Sequence, residues 1–488
     1  MTFKSIALSL TALLLAACAS SQGLAPQLGG RDPLSLASHA ALKDITVSEA
    51  AWPAADWWTT LGDVQLDALI AEALRDNPGL DVADARVRAT AAAVGIADAA
   101  RKPTVGAKLS TNGLRIPDTV LPQPYGDNYS TIGIASLSFN YSFDLWGGKR
   151  AAWEAALGSL RAAEVDARAA RLELSVELAR AYNQFAHGNE MIKVAEADLE
   201  RAGRLLQLNR QRFDAGLDSL AQVRQTEAVL ASAEQRLAQA KHSVELARIA
   251  LATLCGKGPD RGFELSIPAP LAPATLAVPD DLPANLLGRR PDLVAARWRV
   301  EAASREIDVA KAEFYPNVNL GAAIGLASMH TADFFSLHSR YAQLAPAISL
   351  PVFDGGRLRA ALAARDAGYD EAAAQYNQTL VRAVGEVAEQ LTTLRSDAEQ
   401  LRAQQQALTA SREAWSLSEQ RFRKGVGSYL EVLTAQQSLL ANELQLASLQ
   451  AQQLDASIQL VHALGGGFHD DSRLSRALPR DRAATTTR

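Results

Sequence analysis

The chain contains itself twice, so any fold it adopts must accommodate two copies of one pattern. Asn77-Pro78-Gly79-Leu80 recurs as Arg290-Pro291-Asp292-Leu293, and each opens a helical segment that runs to Arg101-Lys102-Pro103 or to Phe314-Tyr315-Pro316. Ser142-Phe143-Asp144-Leu145-Trp146-Gly147-Gly148-Lys149-Arg150 recurs as Pro351-Val352-Phe353-Asp354-Gly355-Gly356-Arg357. Arg212-Phe213-Asp214-Ala215-Gly216 recurs as Arg421-Phe422-Arg423-Lys424-Gly425. The separations of 213, 210 and 209 residues preserve order and spacing, which identifies a tandem duplication.

Within each half the apolar period switches from helix to strand and back. Leu66, Leu69, Ile70 and Leu74 share one side of a helix over 63–76, and a second helix starts near Pro78 and stops at Pro103. From 129 to 143 the period becomes two: Ala135, Leu137, Phe139, Tyr141 and Phe143 alternate with Ser136, Ser138, Asn140 and Ser142. Val318, Leu320, Ala322, Ile324 and Leu326 alternate with Asn317, Asn319, Gly321, Ala323 and Gly325 in the same way. Weaker signals at 104–110 and 345–353 give four strands, two per half. One face seeks lipid or a core and the other accepts water. In a membrane such a sheet would have to share a barrel with copies of itself, three copies supplying twelve strands; a soluble antiparallel sheet with one wet face fits the alternation equally well.

After each strand pair comes a long proline-free stretch, Lys149 to Phe213 and Arg357 to Phe422, rich in helix formers. Helices of ~60 residues reach on the order of 90 Å, longer than a globular core requires. Their apolar residues recur every seven: Ile192, Leu199, Leu206 and Phe213 lead to one Gly turn, and Val223, Leu230, Leu237, Val244 and Leu251 lead back. Leu394, Leu401, Leu408, Trp415 and Phe422 are answered by Leu433, Leu440, Ala447 and Leu454. This spacing predicts two antiparallel coiled-coil hairpins turning at Gly216 and Gly425, with the heptad residues as core.

The N-terminus bears on compartment. Lys4, the apolar run Ile6 to Ala17 and Leu15-Ala16-Ala17-Cys18 form a bacterial lipoprotein processing pattern, which predicts a signal peptide over 1–17 and lipid attachment at Cys18. Cys255 is then the one remaining cysteine, expected to be a buried small side chain with no redox or metal duty. The predicted domains are a lipid-anchored segment 18–60, a first repeat 61–255, a Pro-rich connector 256–285 with a short strand near Phe263 to Ile267, a second repeat 286–464 and a flexible tail 465–488.

The net charge of -5 gives no reason to expect nucleic acid. The seven histidines show no metal-ligand spacing, and neither a Gly-x-Ser-x-Gly elbow nor a phosphate loop is present. The expectation is therefore no enzyme, no cofactor and no metal site. His330 and His338 fall between the second-half strands, in a loop expected to be exposed.

Trp52 to Leu80, with Trp57-Trp58, Leu66, Leu69-Ile70, Ala73-Leu74 and Asn77-Pro78, resembles the opening of the outer membrane efflux lipoproteins of the TolC and OprM type, the NodT group of outer membrane factors. The duplicated Phe-Asp and Gly-Gly-Lys/Arg elements and the Arg-Phe-x-x-Gly turns behind a lipoprotein signal resemble that family as well. The resemblance implies a membrane α/β fold: a homotrimer whose twelve-stranded outer membrane β-barrel continues into a twelve-helix periplasmic tunnel. It implies a non-catalytic exit duct working with a periplasmic adaptor and an inner-membrane RND-type transporter, passing drugs, detergents, dyes, other small amphiphiles or metal ions. The family likeness places adaptor contact at Arg212, Phe213, Gly216, Leu217 and Ser219 on one tip and Arg421, Phe422, Gly425, Val426 and Ser428 on the other. It places tunnel closure just past the second tip, where Glu431 and Thr434 stand at positions that carry two aspartates in TolC-like relatives, and the bulk of Tyr429 and Leu430 on the first turn of the returning helix adds them to the expected periplasmic gate. Gly427 departs from the pattern, standing where OprM-like relatives carry an aspartate, so that Glu431 alone is left either to form a carboxylate ring or to be a solvated helix-face residue, with Asp218 a weaker candidate for a ring. Two alternatives stand beside efflux: a polypeptide secretion duct, and a structural envelope lipoprotein that conducts nothing.

Overall fold

The computed structural model describes residues 20–32, 35–36, 52–115, 117, 119–120, 129–269, 271 and 286–470. The expected signal peptide, Cys18, connector residues 270 and 272–285 and the tail beyond 470 lie outside the described residues.

The duplication governs helix length to the residue. Helix α1 (Val64–Asp76) starts where the Asp63 carboxylate accepts from the amides of Gln65 and Leu66, and α2 (Pro78–Ala99) starts on Pro78, whose missing N–H costs nothing at a first helical position. Helix α3 (Gly148–Asp214) has 67 residues and α4 (Leu220–Leu254) has 35. In the second half α5 (Pro291–Ala312) repeats the 22 residues of α2, α6 (Arg357–Arg423) repeats the 67 of α3, and α7 (Tyr429–Ala463) repeats the 35 of α4. At 1.5 Å per residue α3 and α6 are each about 100 Å long.

Strands β1 (Thr104–Arg115), β2 (Tyr129–Phe143), β3 (Asn317–Ser328) and β4 (Arg340–Ser349) form one antiparallel sheet in the order β1-β2-β3-β4. The fourth strand lies earlier than its weak alternation suggests. Its register is set by β3, which pairs Leu326 with Arg340 and Asn317 with Ser349, leaving Pro351 and Phe353 beyond the ladder. The short strand expected near Phe263 to Ile267 is absent; Asp260–Phe263 makes one helical turn instead. Gly262 permits this turn because a Cβ there would lie 2.3 Å from the carbonyl oxygen of Arg248.

Spatially the chain divides into two units, neither of which is a repeat. One holds the described parts of 1–30, 86–163 and 296–376. It contains the sheet and a core of Ile307, Ala310, Phe314, Leu358 and Leu362, against which Leu24 packs. Asp370 in this unit accepts from the amides of Gln27 and Leu28 at 2.9 and 2.8 Å, tying the N-terminal segment to α6.

The other unit holds the described parts of 31–85, 164–295 and 377–488. Leu66, Leu69 and Ile70 of α1 are buried with Leu178, Tyr182 and Phe185 of α3, Leu251 of α4 and Ile458 of α7. Each such side chain contributes roughly 1.5–3 kcal/mol of transfer free energy. Cys255 is buried in this cluster, where desolvation pushes its thiol up to about 11. The heptad residues Leu206, Val223, Val244, Leu251, Leu408, Phe422, Leu433, Ala447 and Leu454 are buried; Phe213 is 40% exposed.

Candidate functional site: two hairpin tips and an apolar sheet face

The two turns are built by the same backbone. In the first, Gly216 takes φ 71°, its amide donates to the Phe213 carbonyl at 2.9 Å, and the Leu217 amide donates to Arg212 at 2.8 Å. In the second, Gly425 takes φ 78°, with the equivalent bonds to Phe422 and Arg421 both at 3.0 Å. This double closure needs a left-handed residue, which glycine adopts without strain. Each returning helix then opens on a capping box: Ser219 with Gln222, and Ser428 with Glu431. Gln222 Oε1 accepts from the Ser219 amide at 2.8 Å, and Glu431 Oε2 accepts from the Ser428 amide at 3.4 Å. The exposed Glu431 is thereby given a structural task as well as a charge.

Side chains distinguish the tips. Arg212 donates to Asp218 at 2.8 and 3.2 Å, and its guanidinium lies 4.6 Å from the centre of the Phe422 ring. Position 427 is the counterpart of 218, and its glycine gives Arg421 no carboxylate; a Cβ there would sit 3.0 Å from the Phe422 amide nitrogen. Arg421 is exposed and reaches the Val426 carbonyl at 3.4 Å. Phe422 is 1% exposed. Leu217 and Val426, at the crests of the two turns, are both 68% exposed.

Of the four residues expected at a gate, Leu430, Glu431 and Thr434 are exposed, whereas Tyr429 is buried. Its hydroxyl accepts from Thr226 Oγ1 at 3.1 Å, and Asn209 donates to that same Thr226 oxygen at 2.6 Å. Tyr429, Phe422, Val432 and Leu433 share a cluster with Leu205 of the first hairpin. The bulk of Tyr429 thus serves the contact between hairpins.

Farther from the tips the hairpins meet through buried charge that the heptad reading missed. Asp198, 1% exposed, accepts from Arg236 at 2.6 Å and from Gln436 Nε2 at 3.1 Å. Arg201 donates to Glu443 at 2.7 Å and lies 5.9 Å from the Trp415 ring centre. These residues come from α3, α4, α6 and α7. The available sequence signal was a second seven-residue column, Ala195, Ala202 and Asn209, all buried and all small or polar; an apolar-only heptad count passes over it.

The sheet has a distinct chemistry. Ladder partners carry the apolar positions of one strand onto those of the next: Ala107-Leu137-Ile324-Ala342, Val105-Phe139-Ala322-Leu344 and Phe143-Val318-Ile348. Val105, Leu109, Leu137, Ile324, Leu344 and Ile348 on this face are exposed. The opposite face carries rows such as Gly106-Ser138-Ala323-Gln343. In outer-membrane barrels such alternation sets an apolar band against lipid and a polar face toward water. No helix among the described residues is long and apolar enough to cross a membrane. No group of three or more His, Cys, Asp or Glu able to hold a metal occurs among the described residues. His330 and His338 are exposed between β3 and β4.

The family model for outer membrane efflux proteins matches residues 69–257 and 282–466. The chain is 38% identical over 367 residues to the fusaric acid resistance protein FusA of Burkholderia cepacia, covering 74% of this chain and 69% of that protein. The outer membrane protein VceC of Vibrio cholerae superposes with a TM-score of 0.81 at 36% identity, over 86% of this chain and all of that one. The outer-membrane channel OprN superposes with a TM-score of 0.80 at 28% identity, over 91% and 97% of the two chains. With its duplicated long hairpins and its apolar-faced sheet, the chain belongs to the outer membrane efflux protein family and has the fold of an outer membrane efflux channel.

Proposed function

We propose that three copies of this chain form one passive duct, their sheets joined edge to edge as a twelve-stranded barrel in the outer membrane and their hairpins as a twelve-helix tunnel in the periplasm. The observation that carries this reading is the sheet, whose apolar face is exposed and whose edge strands are β1 and β4. In hydrocarbon each backbone N–H and C=O needs a partner, so four strands with two open edges require further copies to close them. Strands of 12, 15, 12 and 10 residues are each long enough for the roughly 9–11 residues that a tilted strand needs to span a bilayer.

A lipid on Cys18 would fasten each chain to the membrane. An inner-membrane RND-type transporter supplies the energy, and a periplasmic adaptor meets the tips, where Leu217 and Val426 offer exposed apolar crests and Arg421 an exposed charge. Arg212, Phe213, Gly216, Ser219, Phe422, Gly425 and Ser428 hold those crests in place or flank them. The gate consists of Leu430, Glu431 and Thr434, with Tyr429 supporting it from within the hairpin contact. Three Glu431 carboxylates drawn around a threefold axis repel one another and attract cations. The cargo is small amphiphiles, in keeping with a relative named for fusaric acid resistance.

Planar bilayers test the duct. Purified protein should give discrete, cation-selective conductance steps; a folded oligomer that never conducts would remove the channel from this account. Cargo is tested by the susceptibility of a deletion strain, with and without the restored gene, to aromatic acids, dyes, detergents, antibiotics and metal ions. Gene-dependent protection is expected against amphiphiles, and protection against none of these would contradict the cargo class.

A further inference from the structure

At the foot of the apolar face, where β2 passes into α3 and α5 passes into β3, lies a cavity of about 430 Å³. Its aromatic wall is Trp146 stacked on Tyr315, with ring centres 4.7 Å apart and planes 20° from parallel. The Trp146 indole donates to the Pro316 carbonyl at 2.8 Å, which fixes the ring, yet both aromatics remain 50% exposed. Arg150, Arg305 and Lys311 supply three positive charges to the lining against the carboxylates of Glu154 and Asp308. Glu154 is engaged by Arg150 at 2.9 Å and by Arg305 at 3.4 Å, and Asp308 by Arg305 at 3.6 Å. Lys311 makes no ion pair within 4 Å among the described residues; the carboxylate it acts on is the buried Asp366 of α6.

The duplication provides a control within the molecule. The counterparts of Arg305, Lys311 and Tyr315 are Ala92, Asp98 and Lys102. Leu145-Trp146 has no counterpart, because Phe353-Asp354 runs straight into Gly355-Gly356. At that other junction Asp98 is paired with Lys102 at 2.5 Å and with Arg101 at 3.6 Å, so both cations there are engaged by one carboxylate. The stacked aromatic pair is therefore an addition to one junction and not a by-product of joining a strand to a helix.

Half-exposed Trp and Tyr beside an apolar band mark the level at which hydrocarbon gives way to headgroups. A basic pocket at that level suits a lipid phosphate. We propose that this cavity holds the headgroup of one anionic phospholipid per chain, such as phosphatidylglycerol, with its acyl chains laid along the Phe143-Val318-Ile348 row. The phosphate would meet Lys311 and the outward parts of Arg150 and Arg305, and the glycerol would lie against the Trp146-Tyr315 edge. The proposal rests on the reading of the sheet as part of a membrane barrel.

Native mass spectrometry of the full-length, detergent-extracted protein tests it, with phosphatidylglycerol, phosphatidylethanolamine and inorganic phosphate added separately. Wild-type protein should retain one phosphatidylglycerol per chain in preference to phosphatidylethanolamine, and Lys311→Gln should weaken that binding by roughly fivefold or more, as expected for one lysine near anionic lipid. Tyr315→Leu gives a second, uncharged perturbation with the same expected direction. Equal retention by wild type and both variants would overturn the site, and so would occupancy by inorganic phosphate without lipid. Bilayer conductance recorded on the same preparations separates the two readings. A conducting protein whose lipid binding ignores both variants loses the site and keeps the channel; a silent protein with variant-sensitive binding keeps the site and loses the channel.

Discussion

The two hairpin tips have the same turn and cap but different side-chain chemistry. Backbone requirements kept Gly216 and Gly425, and the unsatisfied amides at a helix start kept Ser219 and Ser428. Where only a side chain was at stake the halves diverged: Asp218 against Gly427, Gln222 against Glu431, and a half-exposed Phe213 against a buried Phe422. Divergence of side chains on a preserved backbone is how a duplicated hairpin comes to pack on its own copy. The contact is asymmetric, because the first hairpin contributes Asp198 and Arg201 to it while their counterparts Ala407 and Ala410 are exposed.

The largest effect should come from breaking that asymmetry. Asp198→Ala leaves Arg236 and Arg201 short of a buried acceptor and should cost about 3–5 kcal/mol, seen as an earlier loss of helix on heating. Ala407→Asp, at the exposed counterpart, should change the transition little. Equal effects at both positions would mean that the hairpins pack symmetrically.

Next is the ion pair found at one tip only. Asp218→Ala strands Arg212 beside Phe422 and should destabilise by about 2 kcal/mol in the same measurement. Truncating Arg421 to Ala should be close to neutral, since it has no carboxylate to lose. A matching loss there would reveal a partner for Arg421 in the assembled protein.

The caps give a smaller, shared effect. Ser219→Ala and Ser428→Ala should each cost about 1 kcal/mol. The tips also supply a way to separate the two roles of Glu431, because Gln222 shows that glutamine serves this cap. Glu431→Gln should keep the stability of the hairpin and lower the cation selectivity of the channel. If selectivity is unchanged in Glu431→Gln, the carboxylate ring has no part in the gate.

The smallest effect concerns Asp397, whose counterpart is Gly188. Asp397 is 5% exposed, and desolvation raises its pKa above the ordinary 3.8. A carboxyl raised in the folded state favours folding below its unfolded value and opposes it once pH passes the folded value. Asp397→Asn should therefore raise the melting temperature at pH 8 and leave it unchanged at pH 3. A gain of equal size at both pH values would assign the effect to packing.

Much of the fold was legible because its signals are local. Proline placement and helix formers marked the long helices, and strict alternation placed β2 and β3. The start of β4 was not legible, since Ala342, Ala345 and Ala347 dilute the alternation and pairing with β3 fixes the strand instead. At the candidate site the turns and caps could be read from Gly216, Gly425, Ser219 and Ser428. The contact between hairpins could not, because Asp198 meets Arg236 and Gln436, 38 and 238 residues away. Nor was the burial of Tyr429 legible from its place in the first turn, because it depends on Thr226, 203 residues away.

On the proposed reading one chain supplies a third of a closed barrel. The mass of the intact complex, extracted in mild detergent and kept native, tests it most directly. A single species of three chains is predicted; a folded species of one chain would contradict the account, because the edges of β1 and β4 would then have no partner.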